Sequence, residues 1–125
     1  MKIMKRLLLI HWHHFSHQMI EFDTINFLTG KNASGKSTII DALQLIFLAD
    51  TSGSCFNKAA NNKSNRTLLG YLRGELGDDG DTGFRYLRDT RFTSYVAVEF
   101  FDDIKDVYFT AGCCFDYYLI FEIRN

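Results

Sequence analysis

Cysteine is scarce in this chain, tryptophan occurs once, and neither charge sign prevails. The three cysteines, Cys55, Cys113 and Cys114, have no metal-ligand spacing, and an odd count fits a reducing compartment. Adjacent Cys113 and Cys114 face opposite sides of a strand and read as small core residues. A net charge of −1 provides no bulk field to draw the chain to nucleic acid. No apolar run approaches the roughly 18 residues of a membrane helix. Lys2, Lys5 and Arg6 ahead of Leu7, Leu8, Leu9 and Ile10 start like a signal peptide. The run then stops at His11 and Trp12 with no small-residue cleavage site, so a cytoplasmic protein without membrane contact is expected. Repeats, low-complexity segments and heptad runs are also missing, which excludes solenoids and coiled coils.

What the chain does have is enough apolar material for one folded domain. It is 125 residues long, 46% hydrophobic and 15% aromatic. Residues 30–37 read Gly-Lys-Asn-Ala-Ser-Gly-Lys-Ser, with Gly30, Gly35, Lys36 and Ser37 filling the pattern G-x-x-x-x-G-K-[ST]. Composition alone would place that pattern in about one such chain in a few hundred. The pattern implies a nucleoside triphosphate with Mg²⁺. Backbone N–H groups of the loop cradle phosphate oxygens, and the following helix adds its positive end. Lys36 then reaches the β- and γ-phosphates, and the Ser37 hydroxyl takes a place on Mg²⁺.

The flanks match what the loop requires. Residues 24–29 are short and alternating, with Ile25 and Phe27 on one face, and predict a strand. Residues 37–49 hold no glycine or proline and are apolar nearly all round, which predicts a buried helix. Further strands are expected at residues 4–10, 18–22, 94–101, 107–115 and 117–123. A polar turn at 102–106 makes a hairpin of 94–101 and 107–115. Residues 50–91 are rich in Gly and Asn and read as a long loop, functional or mobile, in which only 66–72 suits a short helix. Together these predict a mixed α/β lobe: a P-loop core with one buried helix, leaned on by an antiparallel β-subdomain.

Three other groups carry possible chemistry. Residues 96–103 mimic a Walker B strand ending in Asp102 and Asp103. If Asp102 held Mg²⁺, the chain would be a compact P-loop kinase or NTPase. Glu99 interrupts that run, and aspartates are common in hairpin turns for their own reasons. His11, His13, His14 and His17 suit metal binding, nucleotide-edge contact or a plain surface role. Lys58, Lys63, Arg66 and Arg73 form a basic stretch that either touches phosphate or is simply solvated.

The order of strand, His/Phe-rich turn, strand and Gly-Lys-Asn-Ala-Ser-Gly-Lys-Ser-Thr-Ile-Ile-Asp-Ala-Leu resembles the N-terminal lobe of the ABC-type ATPase heads of SMC-like proteins. Asn32 and residues 38–43 fit that group's pattern, while Ala33 replaces its usual glycine. With Gly-Tyr-Leu-Arg-Gly-Glu at 70–75, the wording is most similar to the MukB-like ATPase subunits of Wadjet-type plasmid-defence condensins. The resemblance implies ATP and Mg²⁺ as ligands. It implies a site of Gly30, Asn32, Ala33, Ser34, Gly35, Lys36, Ser37 and Thr38, with Ser37 on the metal and the turn at 12–17 near the base and ribose. It further implies partners: a C-terminal lobe carrying the signature motif, Walker B aspartate and catalytic glutamate, a second head sandwiching ATP, kleisin-like subunits, and DNA. Residues 1–125 are then one incomplete N-terminal lobe holding no catalytic residue. A truncated, non-catalytic fragment is the remaining alternative.

Overall fold

The computed structural model describes residues 1–30, 35–54, 56, 67–78 and 84–118. In chain order these form β1 (Lys2–Trp12), β2 (Phe15–Glu21), α1 (Lys36–Leu48), α2 (Leu68–Arg73), β3 (Glu75–Asp78), β4 (Phe84–Tyr86), β5 (Phe92–Asp102) and β6 (Val107–Tyr117). One sheet has the order β2-β1-β5-β6, and β3 and β4 pair separately.

Every strand pair among the described residues is antiparallel, which corrects the expected mixed α/β lobe. Three of these pairings are local, as short hairpin connections favour. The exception is β1 with β5, which sets Leu7 opposite Val98 and Leu9 opposite Val96. All four side chains are fully buried beneath Ala42 and Leu45 of α1 and Tyr71 and Leu72 of α2. The opposite face of the sheet carries polar and charged groups, including the Arg6–Glu99 ion pair at 2.8 Å. An antiparallel sheet tolerates one wet face, whereas a parallel one does not.

The expected strand at 24–29 is not formed, and its Ile25 and Phe27 are 75% and 85% exposed. Local side-chain bonds compete with the ladder here. Asn26 Oδ1 accepts from the Asp23 amide at 2.8 Å, Asn26 Nδ2 donates to the Asp23 carbonyl at 2.8 Å, and Asp23 Oδ1 accepts from the Thr24 amide. Helix α1 is not buried all round either. Thr38, Asp41, Ala42 and Leu45 face the sheet, while Ile40, Phe47 and Leu48 are exposed. A single sheet face covers only one stripe of a helix.

Smaller differences have local causes. Strand β1 runs two residues past its expected end, to the Trp12–Phe15 pair, and His11 within it takes a left-handed conformation, φ 51°. Strict alternation from Leu7 and Leu9 would turn His11 inward. The positive φ breaks that parity, and Trp12 is buried instead. The short helix expected at 66–72 is α2, started by Thr67, whose hydroxyl accepts from the Gly70 amide at 3.0 Å. The pair β3–β4 lies within the stretch read as loop. Tyr117 closes β6, and most of the strand expected at 117–123 lies outside the described residues.

Candidate phosphate-binding site

Helix α1 starts at the lysine of the loop, and Gly35 is its N-cap. Gly35 has φ +98°, a conformation that L side chains rarely adopt. Its carbonyl accepts the first helical bond from the Ile39 amide at 3.0 Å. Gly35 brings no side-chain cap, and the first turn of the helix carries no acid. The positive end of the helix dipole therefore meets no carboxylate from its own first turn, which suits an anion. Lys36 Nζ donates to the Gly30 carbonyl at 2.6 Å and so ties both ends of the loop together. Ser37 follows in the first turn. Thr38 lies on the buried stripe. Asn32, Ala33 and Ser34 lie outside the described residues. The groups that are described fit a polyphosphate: a glycine where the backbone must turn, the N-terminus of a helix, a lysine within reach, and a hydroxyl for Mg²⁺.

The turn at 12–17 does meet the loop. Trp12 pairs with Phe15, which leaves His13 and His14 as a two-residue hairpin tip. Such a tip needs positive φ, usually supplied by glycine or asparagine, and here His13 takes φ 51°. The His14 ring tilts against Phe15 at 4.2 Å. A Cβ added to Gly35 would lie 2.9 Å from His14 Cε1 and 3.0 Å from Phe15 Cζ, so the tip rests directly on the last glycine of the loop.

The tip is pinned from behind. His13 N donates to the Tyr71 carbonyl at 2.6 Å. The Arg88 guanidinium donates to the His13 carbonyl through Nη1 at 2.8 Å and Nη2 at 2.5 Å, and to the Phe15 carbonyl at 3.4 Å. Burial pushes the Arg88 pKa down from its ordinary value. Gly74 closes α2 at φ +69°, and a Cβ there would meet Arg88 Nη1 at 2.8 Å. Glycine at this position is what lets the arginine reach the hairpin.

The other constellations come apart. His11 Nδ1 lies 2.8 Å from the Thr93 carbonyl, and His17 is an exposed ladder residue opposite Ile10. Only His13 and His14 meet, Nδ1 to Nδ1 at 3.0 Å. Among the described residues no group of three or more His, Cys, Asp or Glu could hold a metal ion. Arg73 stacks on Tyr86, 3.4 Å from the ring centroid, and is engaged there rather than presented to phosphate. Lys58, Lys63, Arg66 and Cys55 lie outside the described residues.

Asp102 is not placed for Mg²⁺. Its Oδ1 accepts from the amides of Ile104 at 3.0 Å and Lys105 at 3.2 Å, an Asx-type closure of the β5–β6 turn. It pairs with Lys2, at the far end of β1 from Trp12. Helix α1 begins at the Trp12 end and finishes with Phe47 edge-on to Phe100 at 6.0 Å. Ser37 and Asp102 therefore lie toward opposite ends of the same helix–sheet unit, about 20 Å apart at ~1.5 Å per helical residue. The Walker B reading of Asp102 is corrected on that ground.

Sequence reasoning missed three residues that lie behind the site: Asp41, Tyr71 and Arg88. Asp41 was visible as the one acid within an apolar helix. Tyr71 and Arg88 carry no local signal, because their partners are distant in the chain.

Among the described residues no helix is long and apolar enough to cross a membrane. A comparison with curated proteins gives no match. Residues 4–63 match the family model of the P-loop containing region of AAA domain, a stretch that takes in most of β1, the hairpin tip, β2, the loop and α1. The chain thus carries a P-loop NTPase-like region of the kind that binds nucleotides.

Proposed function

We propose that this chain binds ATP with Mg²⁺ through residues 30–38 and serves as the nucleotide-binding lobe of an SMC-like ATPase acting on DNA. One observation carries the nucleotide reading. The N-terminus of α1 has a left-handed glycine, no side-chain cap and no acid, and Lys36 lies beside it. Glycine is an accepted N-cap, but unlike Ser, Thr, Asp or Asn it brings no side-chain acceptor to the start of the helix. In this reading the loop amides and Lys36 hold the phosphates, and the Ser37 hydroxyl joins the metal shell. Magnesium, when bound, would neutralise charge on the β- and γ-oxygens. His14 and Phe15 form an aromatic ledge beside the loop, suited to the base or ribose.

The SMC-like assignment rests on the wording of the loop, on Asp-Ala-Leu at 41–43 and on Gly-Tyr-Leu-Arg-Gly-Glu at 70–75. Under it, hydrolysis belongs to an assembly. A C-terminal lobe and a second head complete the ATP site, kleisin-like subunits bridge the heads, and DNA is the object moved.

Titration with a fluorescent ATP analogue and Mg²⁺ tests the site. Saturable binding by the wild type, weakened at least about tenfold by Lys36→Ala, is expected for loss of a charge-assisted contact. Equal binding by the two proteins removes the assignment. ATP-dependent DNA binding by the protein, abolished by the same substitution, tests the wider role.

A further inference from the structure

The loop's helix also meets groups that lie outside the G-x-x-x-x-G-K-[ST] pattern itself. Asp41 lies just over one helical turn beyond Lys36 and is 1% exposed. The phenol of Tyr71, from α2, donates to Asp41 Oδ2. The ring of Tyr71 stacks on Trp12, with centroids 4.7 Å apart and planes 16° from parallel. The Trp12 indole N–H in turn donates to the Thr38 carbonyl, two residues after Lys36, at 3.0 Å. The Tyr71 carbonyl accepts from His13 N at the hairpin tip that rests on Gly35. Tyr71 therefore meets the loop's helix through its hydroxyl, β1 through its ring and the tip through its main chain.

Packing alone does not call for this arrangement. Phenylalanine at 71 and leucine at 41 would fill similar space without burying a carboxyl group. A buried carboxyl requires a donor in one direction, so the phenol–carboxyl bond fixes the rotation of α1 more sharply than apolar contact does. The directions of the N–H groups at the start of α1 are what a phosphate reads. Rotation of α1 about its axis consequently sets the quality of the site.

We propose that Tyr71 is a positioning residue for the phosphate loop, holding α1 in register through Asp41 and Trp12 while it holds the hairpin tip over Gly35. The inference rests on residues 30–38 being a nucleotide site.

Tyr71→Phe removes one oxygen and keeps the ring. Its affinity for the fluorescent ATP analogue with Mg²⁺ is expected to fall about tenfold at a temperature where circular dichroism shows the variant fully folded. Asp41→Asn, which still offers the phenol an acceptor, should bind close to wild type, whereas Asp41→Leu should not. Trp12 is the single tryptophan, so its indole N–H gives one resonance in a ¹⁵N–¹H spectrum. That resonance should move when nucleotide is added to the wild type, and should already be displaced in Tyr71→Phe. A role in packing alone would lower the melting temperature and leave the affinity of the folded protein unchanged, which overturns the proposal. Should Tyr71→Phe not fold, the Asn–Leu contrast at 41 decides: equal affinities overturn the proposal. If Lys36→Ala abolishes binding and Tyr71→Phe leaves it intact, only the positioning role falls. If wild type and Lys36→Ala bind equally, the nucleotide site itself is wrong and the positioning role falls with it.

Discussion

The indole N–H of Trp12 donates to the main-chain carbonyl of Thr38 at 3.0 Å, and this bond joins the end of β1 to the first turn of α1. Trp12 is fully buried, so the bond forms away from water and its loss is not offset by solvent. Trp12→Phe should keep an aromatic ring against Tyr71 but leave a void and remove the donor. A loss of about 2–4 kcal/mol is expected, measured by urea denaturation.

Gly35→Ala places a methyl group 2.9 Å from His14 at a backbone φ of +98°. Either the helix start must rotate or the hairpin tip must lift. The expected cost is about 1–3 kcal/mol, seen as a lower melting temperature, together with weaker nucleotide binding. An alanine variant with unchanged melting and binding would show that the close contact between tip and loop has no consequence.

Arg88 is the only side chain among the described residues that bonds the carbonyls of both His13 and Phe15. Arg88→Ala removes a charge-assisted fork from a partly buried turn, at an expected cost of about 2–3 kcal/mol. Arg88→Lys should recover little of this, because an ammonium cannot span two carbonyls with fixed geometry. Thermal melts of the three proteins, with nucleotide titrations alongside, test both statements.

The amides of Lys105 and then Ile104 hold the Asp102 carboxyl below its ordinary value of 3.8, against the opposing effect of burial. The folded state thus favours the ionised form more than the unfolded chain does. That stabilisation is fully present above the unfolded value and fades as pH falls through the folded one. Glu99, held low by its bond from Arg6, acts in the same direction. Denaturant midpoints should drop as pH falls below about 4, and Asp102→Asn should flatten that acid limb. Nucleotide affinity at neutral pH should not change in Asp102→Asn, since the residue lies at the far end of α1 from the loop. A large loss there would return Asp102 to the metal.

Much of the local structure was legible because its causes are local. Thr67 and Gly74 bracket α2 by capping and by a left-handed turn, and both effects act within a few residues. The hairpin of β5 and β6 follows from β-rich runs around an aspartate-rich turn. The run at 24–29 shows the limit. Its alternation predicts a strand, yet a strand needs a neighbour, and the Asp23–Asn26 bonds give the backbone another partner. Helix α1 has the same lesson: its composition suits burial on all sides, but only one sheet face reaches it.

By itself the sequence determined that the chain carries a phosphate-loop pattern of the kind that binds nucleotides. Gly30, Gly35, Lys36 and Ser37 are read from a fixed spacing, because a phosphate loop uses backbone amides and needs few side chains. The tertiary structure alone decided what surrounds that loop. It made the sheet antiparallel by pairing β1 with β5, seated His14 and Phe15 on Gly35, and set Tyr71, Asp41 and Arg88 behind the site. It also moved Asp102 out of contention. Each of these depends on residues far apart in the chain meeting through burial, and no short pattern encodes which partner a buried side chain will find.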